Sequence, residues 1–255
     1  MARARFTVAY DGGAFHGFAA NDGVATVAGT ITEAMSRVVG HEVVLTGAGR
    51  TDAGVHGWGQ VISLDLPAGA DLAELAHRVN RMCAPTISLR DPSWAADDFN
   101  ARFSARWRQY RYTVLNTPYA HPLLAPVAWH VPQPLDLAVL QLATDPLVGE
   151  HDFASFCRRP KLPPDAPSPS LVRRVLGARW SEVADDSFGV PILRFEIRAN
   201  AFCHQMVRAI TGTLVDVGLG RISAGDVVAI LAAKDRAVAG QVAPPQGLTL
   251  WEVGY

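Results

Sequence analysis

One carboxylate, Asp52, stands in the stretch Gly47-Ala48-Gly49-Arg50-Thr51-Asp52-Ala53-Gly54-Val55-His56-Gly57-Trp58-Gly59-Gln60, which is otherwise glycines, small residues and a few polar groups. Presented on a loop and ionised, such a group can act as a nucleophile or a general base. Folded into a turn, it only caps backbone amides, and Arg50 beside it is merely solvated. Val43-Val44-Leu45 before the stretch and Val61-Ile62-Ser63-Leu64 after it read as strands, so the loop is expected at a sheet edge facing an open cleft. Glycines on both sides are expected to let a bulky substrate approach the backbone. The pattern is not a dinucleotide fingerprint, because no helical periodicity follows and the third glycine is misplaced.

A second group of chemically capable residues follows Asn200. Phe202, Met206, Ile210, Thr213 and Val217 keep helical spacing and are expected to face a core, in a helix starting near Ala201. His204 and Arg208 then form an i,i+4 pair on another face. That pair is either solvated or, with Arg208 turned into a cleft, a positive partner for the Asp52 carboxylate.

The chain's 255 residues carry a net charge of −1, so the whole-molecule field does not point to nucleic acid. The local distribution differs. Of 23 Lys and Arg residues, Lys161 and Lys234 alone are lysines, and the arginines cluster as Arg102, Arg106, Arg108 and Arg111, as Arg158 and Arg159, and as Arg173, Arg174 and Arg179. Guanidinium groups suit bidentate phosphate contacts and stacking on bases; the alternative is a composition bias that leaves them on solvated faces. Pro160, Pro163, Pro164, Pro167 and Pro169 make one non-periodic segment that reads as a mobile surface loop. Arg158, Arg159 and Lys161 at its base make it a candidate RNA clamp.

The elements that must position these groups follow from periodicity. A strand is expected at 3–10, a helix at 26–39 with Val27, Ile31, Ala34 and Val38 inward, and strands near 42–47 and 59–66. A helix from Asp71 to Met82, with Leu72, Leu75, Val79 and Met82 inward, precedes a strand near 86–94. Beyond it lie strands at 109–116 and 126–131, a helix from Asp136, strands near 172–183 and 190–198, and the Arg208 helix. A short helix at Ser223 with Asp226 as a capping partner and a strand at 248–253 end the chain. Strands outnumber helices and rarely alternate with them one for one, which predicts an α+β fold with mainly antiparallel sheets. The expected division is two units of similar content, residues 1–105 and 106–255.

A hydrophobic content of 49% excludes general disorder. Cys83, Cys157 and Cys203 are far apart without a C-x-x-C pair, which predicts neither a disulfide framework nor a zinc site. The N-terminus enters a strand without an apolar leader, and no apolar span of membrane length occurs, so a cytoplasmic protein without a membrane anchor is expected.

The blocks together resemble the tRNA pseudouridine synthase A family over almost the full length. They are Tyr10-Asp11-Gly12, Gly49 to Val61, Asp98-Phe99-Asn100-Ala101-Arg102-Phe103-Ser104-Ala105, Tyr110-Arg111-Tyr112, Asp152-Phe153-Ala154-Ser155-Phe156, Ala199 to Arg208, and Gly247-Leu248-Thr249-Leu250. The resemblance implies the pseudouridine synthase fold with an active-site cleft between the two units. By the same resemblance Asp52 is the catalytic aspartate, Tyr110 the tyrosine beside the target uracil, Arg208 the basic partner of the aspartate, and Arg50 an RNA contact. It further implies a homodimer that isomerises uridine at tRNA positions 38, 39 and 40 of the anticodon stem-loop. The chain departs from the family pattern at His16-Gly17-Phe18-Ala19-Ala20, where tryptophan and glutamines are usual, and at Asn100, where histidine is usual.

Isomerisation breaks the N-glycosidic bond, turns the uracil and rejoins it through C5, so it needs neither cofactor nor metal. An ionised aspartate can attack the anomeric carbon or remove the adjacent sugar proton, and Tyr110 offers a face to a base that has left its stack. Two other classes explain part of the pattern. A non-catalytic RNA-binding module has no use for Asp52, and a small-molecule hydrolase has no use for the arginines.

Overall fold

The computed structural model describes residues 1–159, 163, 169–183 and 189–255. The chain forms two compact units, Met1–Arg106 with Thr249–Tyr255, and Trp107–Leu248. The terminal strand thus lies with the first unit, whereas the sequence pattern carries the second unit through to residue 255.

In the first unit, strand β1 (Ala2–Tyr10) buries every second residue, Ala4, Phe6, Val8 and Tyr10, as a half-covered strand must. Helix α1 (Val27–Val39) opens on Thr26, whose hydroxyl accepts from Gly29 N at 3.2 Å, and closes on a left-handed Gly40. Two-residue strand β2 (Thr46–Gly47) precedes β3 (His56–Leu66), with which it pairs antiparallel. Residues 42–45 are not a strand: Val43 is buried while Val44 is 81% exposed, so the apolar run does not fill a sheet position.

Helix α2 (Leu72–Cys83) is capped by Asp71, whose Oδ1 accepts from Glu74 N at 2.9 Å. Its buried stripe is Leu72, Leu75, Ala76, Val79 and Cys83. Met82, expected inward, is largely exposed, because the fourth residue after Val79 continues that stripe and the third does not. Strand β4 (Ile87–Trp94) and β3 flank β1 antiparallel, and the terminal strand Leu248–Gly254 joins β3 in parallel through Thr249 opposite His56 and Leu250 opposite Gly57. Both helices contribute to one core with Phe6, Ile31, Met35, Leu64 and Val79.

The second unit is built on strand β5 (Trp107–Leu115), with β6 (Trp129–His130) parallel to it. Helix α3 (Leu137–Thr144) is capped by Asp136, and strands β7 (Gly149–Asp152), β8 (Val172–Val183) and β9 (Ile192–Ala199) complete an antiparallel order β5-β9-β8-β7. Helix α4 (Met206–Gly218) is buried over nearly its whole circumference, and its apolar composition allows this. Helix α5 (Asp226–Ala233) begins three residues later than the expected start at Ser223, with Gly225 at its N-cap, although the Asp226 carboxylate does accept from Ser223 N at 3.1 Å across the preceding turn. The molecule is thus α+β with mainly antiparallel pairing. Among the described residues, no helix is long and apolar enough to cross a membrane.

Candidate active site

The Asp52 loop is a built turn. Val55 N donates to Asp52 O at 3.2 Å, and Gly54 between them has φ 77°, a left-handed conformation that a side chain would strain. Asp52 itself is half-buried and Arg50 is exposed. The residue between them is fixed twice, since Phe18 N donates to Thr51 O at 3.1 Å and the Thr51 hydroxyl lies 2.9 Å from the Tyr10 hydroxyl. Upstream, fully buried Gln60 donates through Nε2 to Gly49 O at 2.8 Å, while its Oε1 accepts from Gly49 N at 3.2 Å. A buried amide satisfied on both sides rigidifies the backbone it clamps.

Two of the glycines, Gly47 and Gly57, make room for aromatic rings of the protein itself. Gly57 is the register partner of Tyr10, and a Cβ there would fall 2.3 Å from the Tyr10 ring. The missing side chain is what lets that ring lie across β3 and bring its hydroxyl to Thr51. Phe18, from the segment that departs from the family pattern, is buried and packs on Gly47. Asn100 holds the turn that follows it, its Oδ1 accepting from Arg102 N at 2.9 Å and from Phe103 N at 3.1 Å.

In the second unit, strand alternation sends Tyr110, Tyr112 and Val114 to the buried face of β5. The Tyr110 ring meets Phe202 edge-on, centroids 5.0 Å apart. The Arg208 Nε donates to Ala243 O at 2.8 Å, and Ala243 N donates back to Arg208 O at 3.0 Å, which aims the guanidinium from the first turn of α4. Burial pushes the Tyr112 phenol far above its ordinary range, opposed by the positive charge of Arg208, and its hydroxyl donates to Pro244 O at 2.7 Å.

The helix does not begin at Ala201. It begins at Met206, because Gln205 has φ 62° and Met206 N already bonds to Cys203 O at 3.1 Å. His204 therefore lies outside the helix, exposed, and is not an i,i+4 partner of Arg208. Phe202 is likewise off the helix, while Met206, Ile210, Thr213 and Val217 are buried as expected. Arg158 and Arg159 are exposed, and Arg158 N donates to His204 O at 3.0 Å, so these three candidate contacts share one backbone junction. Pro160, Lys161, Pro164 and Pro167, expected in a mobile loop and clamp, lie outside the described residues.

The same junction overturns the cysteine expectation. Cys157 and Cys203, 46 residues apart in sequence, are joined by a disulfide with Cα atoms 5.8 Å apart. Sequence spacing alone could not find it, since the pairing depends on the strands folded between the two cysteines. Cys83 is free and buried. Among the described residues, no group of three His, Cys, Asp or Glu residues is placed to hold a metal ion.

Part of the arginine excess is structural. Glu196, buried on β9, receives Arg111 Nε at 2.6 Å and the Arg179 Nε and Nη2 at 2.8 and 2.5 Å. Burial raises the Glu196 pKa, but the hydrogen bonds and charges of Arg179 and Arg111 outweigh it and hold the carboxyl below its ordinary value. Arg108 donates to Asn200 O at 3.1 Å, and Arg173 to Ser170 O at 2.9 Å.

Asp52 thus sits on a clamped turn of the first unit, while the second unit carries Tyr110 on a strand and Arg208 on the first turn of a helix. Residues 143–255 match the family described as tRNA pseudouridine synthase. Over the full chain, proteins named tRNA pseudouridine synthase A are similar. One from Brevibacillus brevis is 39% identical over 255 residues, covering 100% of both chains. One from Caulobacter sp. strain K31 is 38% identical, covering 100% of this chain and 98% of its own. One from Listeria monocytogenes serotype 4a is 36% identical, covering 100% of both. The chain belongs to the tRNA pseudouridine synthase family.

Proposed function

We propose that the protein isomerises uridine to pseudouridine in tRNA, at positions 38 to 40 of the anticodon stem-loop, with Asp52 as the catalytic carboxylate. The observation that carries this reading is the turn around Asp52, clamped through Thr51 and Gly49 and continuous with a full-length family match. Preorganising a carboxylate is the main contribution a protein can make to a reaction that imports no group and changes no oxidation state. Asp52 then forms or breaks the bond at the anomeric carbon, directly or by removing the neighbouring sugar proton.

Tyr110 offers its ring and hydroxyl to the turned uracil. Arg208 is the positive partner of the reacting carboxylate, and its tie to Ala243 supports that role by fixing its direction. Arg50, Arg158, Arg159 and His204, all exposed, contact the RNA backbone. The working form is a cytoplasmic homodimer that needs neither cofactor nor metal.

The test is product analysis. Unmodified tRNA incubated with the protein alone should yield pseudouridine at positions 38 to 40 without a change of mass. Bound tRNA recovered with every uridine intact would favour the non-catalytic RNA-binding module instead.

A further inference from the structure

We infer that Cys157 and Cys203 form a reversible thiol–disulfide modification site, oxidised by a hydroperoxide and reduced by a dithiol, that sets how firmly the RNA-facing junction before α4 is held. The inference rests on the reading of that junction as a tRNA contact.

Four observations converge on it. The Cα separation of 5.8 Å lies within the range a disulfide spans, so the two thiols meet without backbone movement. Cys203 is a partly exposed residue while Cys157 is buried, which makes Cys203 the one an oxidant reaches first and Cys157 the resolving partner. The bridge ties the exposed Arg158-Arg159 pair to the Phe202-Cys203-His204 segment, at the place where Arg158 N meets His204 O. Phe202, next to the bridge, touches the Tyr110 ring, and Arg208 lies one turn further along the chain. The third thiol does not compete: Cys83 is buried, and burial together with the charge of Glu33 pushes its pKa up, which disfavours its reactive thiolate.

The chemistry balances with hydrogen peroxide as oxidant. The Cys203 thiolate attacks one peroxide oxygen, the O–O bond breaks, and Cys203 sulfenic acid and hydroxide result. Cys157, losing its proton to that hydroxide, attacks the Cys203 sulfur. The S–S bond forms as the S–O bond breaks, and the second oxygen leaves as water once protonated. Two thiols thus become one disulfide while one peroxide becomes two waters, and thiol exchange with a dithiol reverses the step. A pair of this kind in a reducing compartment is a sensor rather than a permanent staple.

The bridged junction has already given up conformational freedom that RNA binding would otherwise have to remove. The oxidised protein should therefore bind tRNA about five-fold more tightly than the reduced protein. The experiment takes the full chain through peroxide and then dithiothreitol, counts alkylatable thiols after denaturation, and measures tRNA Kd by filter binding at fixed salt. One thiol after peroxide and three after reduction are expected. Cys203→Ser and Cys157→Ser, each checked for native circular dichroism, should bind like the reduced protein before and after peroxide, because neither can form the bridge.

Three thiols persisting after peroxide, or equal Kd values in the two states, would overturn the inference. If the thiol count and Kd respond as expected but neither state makes pseudouridine, the catalytic assignment fails and the redox site stands.

Discussion

The Tyr10 hydroxyl lies 2.9 Å from the Thr51 hydroxyl, so the last residue of the first strand holds the residue immediately before Asp52. Because Gly57 has no side chain, the Tyr10 ring can cross β3 to make that contact. Tyr10→Phe keeps the ring and deletes the hydroxyl. The expected result is a single-turnover rate lower by about ten-fold, the equivalent of roughly 1.4 kcal/mol of lost positioning, with tRNA Kd unchanged. An unchanged rate would show that Gln60 and Phe18 hold the turn without it.

Asp52→Asn is nearly isosteric and keeps the turn's backbone bond to Val55. Pseudouridine formation should disappear while Tm and tRNA Kd stay close to those of the parent, because an amide is neither nucleophile nor base at neutral pH. Single-turnover nucleoside analysis at saturating enzyme decides it. Appreciable product from this variant would sink the role given to Asp52.

Tyr110→Phe separates stacking from proton transfer. The ring that packs on Phe202 remains, so tRNA affinity should hold. If the hydroxyl moves a proton, the rate of the chemical step should fall by roughly 10²-fold or more. A parental rate would confine Tyr110 to receiving the base.

Glu196→Gln tests the arginine cluster as architecture. The Glu196 carboxyl is held below its ordinary value of 4.5, burial being outweighed by Arg179 and Arg111. A depressed pKa means that its stabilisation is complete above the unfolded value and is lost as pH falls through the folded one. The variant should be less stable by about 2 kcal/mol at pH 7, since a buried carboxylate paired to two arginines is replaced by a neutral amide. That gap should close below the range in which Glu196 titrates. Urea unfolding of both proteins across a pH series from 7 downward measures it, and a gap that stays constant along the whole acid limb would refute the ionic account.

What periodicity carries, the sequence made legible: the alternation of Phe6, Val8 and Tyr10, the α2 stripe through Val79, and the helix starts at Asp71 and Asp136, which the structure shows as N-caps, are local signals with local causes. What tertiary contacts decide, it hid. Helix α4 starts five residues later than its apolar spacing suggests, because Cys203 is tied to Cys157 and Gln205 turns left-handed. Tyr10 reads as ordinary core, and only its hydroxyl's partner across 41 residues makes it part of the site. Gln60 did carry a signal, a glutamine placed directly before the apolar run Val61-Ile62, which is costly to bury unless its amide is fully used. The parallel pairing of Thr249 with His56 lies beyond any periodicity, since it joins residues from distant parts of the chain.

Arg208 separates two readings that sequence alone left open, a solvated helix residue and a working cation. The structure removes His204 as its helical partner and gives its Nε to Ala243 O at 2.8 Å, so the side chain is held in one direction. Removing the guanidinium costs that bond as well as the charge, and a stability control is therefore needed: Arg208→Met should lower stability by about 1 kcal/mol. If Arg208 serves the reacting carboxylate, the single-turnover rate should drop by roughly 10²-fold under conditions where the variant is fully folded and tRNA is saturating. Arg208→Lys, which keeps the charge but loses the planar guanidinium whose Nε bonds to Ala243 O, should recover only part of it. A solvated arginine predicts the opposite pattern, with parental turnover, weaker tRNA binding and a shallower dependence of affinity on salt. Rate and salt slope measured on the same two variants distinguish these outcomes, and a parental rate with a reduced slope would move Arg208 from the catalytic group to the RNA-binding surface.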